Sequence, residues 1–165
     1  MLRVGVLTVS DQGSRGERED ASGPAIAEMV RAAGWQVAEQ AIVPDEEASI
    51  AERLREWTDG GRLDVVLTTG GTGLAPRDRT PEATLAVVDR LVPGLAEGMR
   101  MASLAKTPFA MISRGVAGTR GGTLIVNLPG SPKAARESLE VIVPVLPHAI
   151  DILQQRTPGD HAPPG

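Results

Sequence analysis

Residues 68–83, TTGGTGLAPRDRTPEA, decide the fold of this chain, because they join a buried strand to a helix through a loop with three glycines and one isolated carboxylate. The run leading into it, residues 63–69 (LDVVLTT), is short and β-branched in the manner of a core strand, and Thr80 followed by Pro81 marks a helix start. The loop between them therefore sits at a strand's carboxyl end. In open α/β sheets ligands bind at that edge, where free backbone N–H groups and a helix N-terminus favour negative charge. Gly70, Gly71 and Gly73, with Thr72 among them, let the backbone approach a phosphate that any Cβ would obstruct. Asp78 is the odd residue. A carboxylate repels phosphate, so its sensible place in such a loop is to hold a magnesium ion that bridges to the phosphates. The plainer reading is a tight turn with Asp78 solvated or capping the helix. No lysine follows the glycines as a P-loop requires, and Gly71-Thr72-Gly73 lacks the third glycine of the dinucleotide fingerprint.

Outward from this loop the chain alternates strand and helix. Residues 4–9 read as a strand, followed by a polar loop over 10–22 and a helix carrying Ile26, Met29, Val30 and Ala33, which Gly34 stops. Residues 35–43 read as a second strand, and Asp45 opens a helix with Ile50, Leu54 and Trp57 on one face. After the glycine loop, a helix runs from Pro81 to about Arg90, and Pro93-Gly94 precedes a shorter one. Residues 109–117 and 123–128 are expected as paired strands joined by a turn over 118–122. Ser131-Pro132 caps a last helix, restarting at Pro147 and ending near Gln155. The expectation is a single α/β domain over residues 1–155: a mostly parallel, doubly wound sheet with helices on both faces and one small antiparallel hairpin. The proline-rich residues 156–165 are expected to form a disordered tail.

Parallel strands point one way, so the segments after the first, second and last strands share the carboxyl rim with Asp78. Ser10, Asp11, Ser14 and Asp20 bring hydroxyls and carboxylates there, and Asp45 brings another carboxylate. Asn127, Gly130 and Ser131 bring an amide, a bare backbone and a helix start. Asp45 also reads as an ordinary N-cap, and Ser131 before Pro132 as a cap.

Composition narrows the chemistry. The 165 residues suffice for one core, built from aliphatic side chains because Phe109, Trp35 and Trp57 are the only aromatics. Such a core is thin, and burial of a face in an oligomer is expected. A net charge of −4 and no Lys/Arg cluster argue against a nucleic-acid partner. With no cysteine, disulfides and thiolate chemistry are excluded, and the two histidines, His148 and His161, leave no triad or zinc site. Residues 1–10 are too poor in apolar residues for a signal peptide, and no apolar run spans a membrane, so a soluble cytoplasmic protein is the expectation. What remains is carboxylates, hydroxyls, glycine backbone and a few cations, a set suited to magnesium-dependent handling of phosphates.

The runs SDQGS (10–14), PDE (44–46), TTGGTGLAPRDRTPEAT (68–84) and NLPGSPKA (127–134), in this order and spacing, resemble the molybdopterin adenylyltransferase family of molybdenum cofactor biosynthesis, with its bacterial paralogues and the gephyrin-type domain. The resemblance covers residues 2–153. It implies a homotrimer binding molybdopterin and Mg-ATP at the rim, joining the pterin's terminal phosphate to AMP and releasing pyrophosphate. The product would then pass to molybdenum insertion, with a partner protein for that step. By position, Asp78 matches the carboxylate between GGTG and TP, and Asp45 that of the PDE motif; both are expected to be catalytic and to hold Mg2+. Ser10, Asp11, Ser14, Gly70, Gly71, Thr72, Gly73, Asn127, Gly130 and Ser131 are expected to bind substrate and nucleotide. The alternative within the family is a non-catalytic pterin-binding scaffold. Outside it, a dinucleotide-dependent oxidoreductase would use Asp89 as a ribose partner.

Overall fold

The computed structural model describes residues 1–157. Within them six strands form one sheet in the order β2-β1-β3-β6-β5-β4. Strands β1 (Arg3–Val9), β2 (Gln36–Val43), β3 (Val65–Thr69) and β6 (Thr123–Leu128) run parallel. The short β5 (Ala117–Arg120) pairs antiparallel with both β6 and the two-residue edge strand β4 (Arg90–Leu91). The expected mostly parallel, doubly wound sheet is what the chain forms.

Period-two alternation splits the strand side chains between two faces. Val4, Val6, Val65, Leu67, Leu124, Val126 and Leu128 pack with helices α2 (Ser22–Ala32), α5 (Pro93–Leu104), α6 (Pro132–Ile142) and α7 (Leu146–Leu153). Leu7, Val9, Val66 and Ile125 face α3 (Glu47–Asp59) and α4 (Thr80–Val87), where Trp57 supplies the bulk. β1, β3 and β6 are therefore apolar on both sides, as the near-continuous runs in the sequence require. β1 lies between β2 and β3, so successive connections diverge from it. That divergence opens a crevice at the carboxyl ends of β1 and β3, flanked by residues 10–21 and 70–79.

Three expectations are corrected. Of the expected strand 109–117, only Ala117 is in one: Pro108–Ile112 is a 3₁₀ turn that Thr107 caps through its side chain, and pairing begins only at Ala117. The proline forbids a donor there, and a short tight helix replaces the ladder. The turn accordingly shrinks to Gly121-Gly122, with Gly121 at φ +55°. The helix after Pro81 stops at Val87, releasing Arg90–Leu91 to extend the sheet. Part of the expected loop 10–22 is helical, as the single turn α1 (Asp11–Ser14).

Of the expected tail, Arg156 is held by its amide to the Asp151 carbonyl at 2.8 Å and lies 3.8 Å from Asp64. The remainder, residues 158–165 with His161, lies outside the described residues. No helix among the described residues is long and apolar enough to cross a membrane. His148 is exposed on α7.

Candidate functional site at the carboxyl rim

The glycine loop begins where β3 ends, and sterics dictate its residues. Gly70 and Gly71 adopt φ +98° and +70°, the left-handed region that L side chains disfavour. A Cβ on Gly70 would lie 2.4 Å from the Val9 carbonyl oxygen, and one on Gly71 would lie 2.2 Å from Thr80 Oγ1. Thr80 needs that space: its hydroxyl donates to Gly70 O at 2.9 Å and its amide to Gly71 O at 3.1 Å, closing the loop onto α4. Among the described residues the amides of Gly71, Thr72 and Gly73 have no protein acceptor. Unsatisfied donors on a glycine backbone at a sheet's carboxyl edge constitute an anion cradle.

Carboxylates gather beside this cradle. Asp45 and Asp11 interlock, each taking the other's backbone N–H, at 2.9 Å (Asp11 to Asp45 Oδ2) and 3.0 Å (Asp45 to Asp11 Oδ1). Asp45 therefore ties the loop after β2 to the loop after β1 and does not cap α3, whose N-cap is Glu46. Arg77 grips Asp11 with two hydrogen bonds of 2.6 and 2.9 Å, and this pairing first of all holds the Asp11 carboxyl down at about 2. The Asp45 carboxyl moves the other way: burial pushes it up, the amide of Asp11 opposes, and the charges of Asp11 and Asp78 push it further. Its Oδ1 faces Gly71. Asp78 Oδ2 accepts the Ala75 amide at 2.9 Å, so the plainer turn-forming role is present, and the same oxygen stands against Gly73.

The other expected residues divide. Ser10, Gly70, Gly130 and Ser131 line one rim cavity of about 410 Å³, together with Thr8, Asp20 and Ser22. Ser10 caps α1 by accepting the Gly13 amide, and Ser131 caps α6 by accepting that of Ala134, which leaves each hydroxyl proton free to donate. Gly130 approaches Gly70 so closely that a Cβ there would sit 3.3 Å from the Gly70 Cα. Ser14 is exposed and donates to Asp11 O, away from the cavity lining. Asn127 is 2 % exposed, and its amide is occupied in the wall: Nδ2 donates to Thr68 and Thr84 at 3.0 Å each, while Oδ1 accepts the Val116 amide. It supports the rim from beneath rather than offering an amide to a ligand. Asp89 accepts the Gly121 amide at 2.7 Å and secures the hairpin turn, which removes the reason for reading it as a ribose partner.

One neighbour of the site has no counterpart among the expected residues. Arg114, inside the segment expected to be a strand, reaches back to Gly73 O and Asp78 O at 2.7 Å each and pairs with Glu82. Two of its partners are main-chain oxygens far away along the chain, which leave no signature in a sequence.

Among the described residues no group of three or more His, Cys, Asp or Glu is placed to hold a metal ion. Magnesium does not need such a cage, being commonly bound by one or two carboxylates plus substrate phosphates and water. Asp45, lifted first by burial and further by the charges of Asp11 and Asp78, fits that requirement together with Asp78.

An amide cradle facing half-buried acids at the switch point of a parallel sheet defines the class: an α/β protein whose rim has donors suited to an anionic ligand. Residues 5–148 match the family described as probable molybdopterin binding domain, and the chain belongs to that family. It is 45% identical over 154 residues to the molybdopterin adenylyltransferase of Helicobacter pylori strain J99, covering 92% of this chain and 88% of that protein. It is 44% identical to the molybdenum cofactor synthesis protein cinnamon of Drosophila melanogaster, of which it spans 26%. The solved structure of the molybdopterin biosynthesis enzyme MoaB of Thermus thermophilus superposes with a TM-score of 0.89 at 60% identity, covering 94% of this chain and 98% of that one.

The raised carboxyl of Asp45 sets a stability test. Above its folded pKa the charged form is disfavoured relative to the unfolded chain, so neutralising the side chain removes a cost present at neutral pH and absent in acid. Asp45→Asn should unfold in urea at pH 7 at the same concentration as wild type or higher, and any gain should vanish as pH falls through the carboxylate range. Equilibrium unfolding at a series of pH values measures this. A loss of stability at pH 7 would show that the carboxylate charge supports the fold.

Proposed function

We propose that this chain is a molybdopterin adenylyltransferase: it joins the terminal phosphate of molybdopterin to the AMP moiety of Mg-ATP and releases pyrophosphate. The observation that carries the reading is the juxtaposition of a glycine amide cradle with Asp45 and Asp78, donors for phosphate beside acceptors for a cation. The curated Helicobacter pylori relative that bears that name supports it over most of the chain.

The chemistry follows from charge. An oxygen of the molybdopterin phosphate attacks the α-phosphorus of ATP; that P–O bond forms as the bond to the bridging α–β oxygen breaks, and pyrophosphate leaves with the electron pair. A phosphate monoester has a second pKa of about 6, so the nucleophile is already largely deprotonated at neutral pH and no general base is required. The obstacle is the approach of two anions. Amides of residues 71–73 bind phosphate oxygens in fixed orientation, and the loop holds the reacting groups in line. Asp45 and Asp78 would hold Mg2+, which when bound neutralises charge building on the phosphates. The rim cavity between Ser10, Asp20, Gly130 and Ser131, at about 410 Å³, has the size of a small-ligand site and receives the pterin. Product then passes to a molybdenum-insertion partner.

The working unit in this proposal is a homotrimer. Met101 (72 % exposed), Leu104, Phe109 (75 %), Met111 and Ile112 present apolar surface along α5 and the 3₁₀ turn, the kind of surface an oligomer covers. Light scattering should give three times the 17.2 kDa chain mass; a monomer at micromolar concentration would contradict this part.

Pyrophosphate release on mixing with molybdopterin and Mg-ATP should be readily measured for wild type. Asp78→Asn should lower kcat by about 10²–10³-fold, the scale on which a transition-state electrostatic contact acts. Molybdopterin binding without pyrophosphate from wild type would instead identify the scaffold alternative, and unchanged turnover in Asp78→Asn would remove that carboxylate from the mechanism.

A further inference from the structure

The tip of the glycine loop has little to hold it in place. Residues 74–77 are all exposed, and the bonds within the tip are the reciprocal pair between Asp78 and Ala75, amide to carbonyl and amide to carboxylate. Such a pair shapes the tip but does not fix it to the body of the protein. Two outer ties, Arg77 to Asp11 and Arg79 to Glu47, run between side chains in or near solvent, where ion pairs are weak restraints.

Arg114 acts from within. Its Nε donates to Gly73 O and its Nη2 to Asp78 O, each at 2.7 Å, so one guanidinium brackets the tip at both ends. Its own amide donates to Thr72 O at 2.9 Å, fixing the middle residue of the cradle. The remaining arm, Nη1, pairs with Glu82 on α4, and the half-buried Arg114 is thereby oriented as a planar plate between loop and helix. Burial pushes the Glu82 carboxyl up, but the Arg114 bond, the backbone amide of Glu82 and the charges of Arg114 and Arg79 together outweigh it, and the group lies below its ordinary value. Glu82 Oε2 is buried with no hydrogen-bond partner among the described residues, so the guanidinium is what makes the charge tolerable there. Only a rigid fork serves two carbonyls and a carboxylate at once; an ammonium of the same charge does not.

We propose that Arg114 is the positioning residue of the rim site: by clamping the carbonyls of Gly73 and Asp78 it sets the amide cradle and the Asp78 carboxylate at one fixed separation. It touches neither phosphate nor metal and acts through the loop. The effect on turnover rests on the adenylyl-transfer reading; the effect on the loop does not.

Arg114→Lys keeps the charge and removes the fork. Hydrogen exchange followed by mass spectrometry should show faster exchange confined to the hydrogen-bonded amides that frame the loop, those of Ala75, Asp78, Thr80 and Arg114, while the remaining sheet stays protected. In the pyrophosphate assay kcat should fall about ten-fold or more, and the Mg2+ concentration for half-maximal rate should rise several-fold, with thermal unfolding little changed. A merely structural arginine would lower unfolding temperature and loosen exchange broadly without moving the Mg2+ requirement. Glu82→Gln, which keeps the shape but frees Arg114, should reproduce the same pattern more weakly and serves if Arg114→Lys does not fold. Wild-type exchange at the amides of Ala75, Asp78, Thr80 and Arg114 in either folded variant overturns the proposal, as does a wild-type Mg2+ requirement in an active enzyme. Should wild type release no pyrophosphate, the adenylyl-transfer reading falls, and the exchange measurement alone still decides the role of Arg114.

Discussion

The rim of this protein depends on how closely three pieces of backbone meet at the end of β3. Gly70 lies against the last carbonyl of β1, Gly71 against the Thr80 hydroxyl, and Gly130 against Gly70 itself. The first two contacts leave no room for a Cβ, and the third would crowd one at 3.3 Å; Gly70 and Gly71 hold a left-handed backbone as well. The close approach brings the loops after β1, β3 and β6 to one place and leaves the amides of residues 71–73 without partners among the described residues. A substitution that pushed any of them apart would open the crevice, because the strands behind it are packed on both faces and cannot yield.

Charge at the rim is distributed unevenly, and that unevenness distinguishes acids that look alike in sequence. Asp11 is saturated: Arg77 holds it ionised, and it accepts the Asp45 amide. The favourable charge of Asp11 is present across the neutral range and is lost only as pH falls toward 2. Asp45 has no such cation in contact among the described residues and lies near two other acids, so its charge is the one a bound cation would relieve. The acid that is hardest to keep ionised is thus the one best suited to the proposed metal.

The parallel strands and the convergence of four loops are legible in the sequence because they follow from periodicity and from the rule that parallel strands share a direction. Leu67 and Val126, for example, are buried where their runs place them. The 3₁₀ turn at Pro108–Ile112 is not legible, since apolar Phe109, Met111 and Ile112 imitate a strand while standing exposed in the chain. Read locally, Asp45 looks like a cap and Asn127 like a ligand group; each instead satisfies amides or hydroxyls brought near only by tertiary structure. Arg114 shows the same limit from the other side, because a side chain that serves distant carbonyls has no pattern to be found by.

In the proposed site the amides of residues 71–73 take phosphate while Asp45 and Asp78 hold the cation beside it. A crystal structure with Mg2+ and a non-hydrolysable ATP analogue tests it most directly. Phosphate density against the glycine loop and a metal peak between the two aspartates are the expected result. Nucleotide bound elsewhere, with the loop empty and no metal near Asp78, would contradict it.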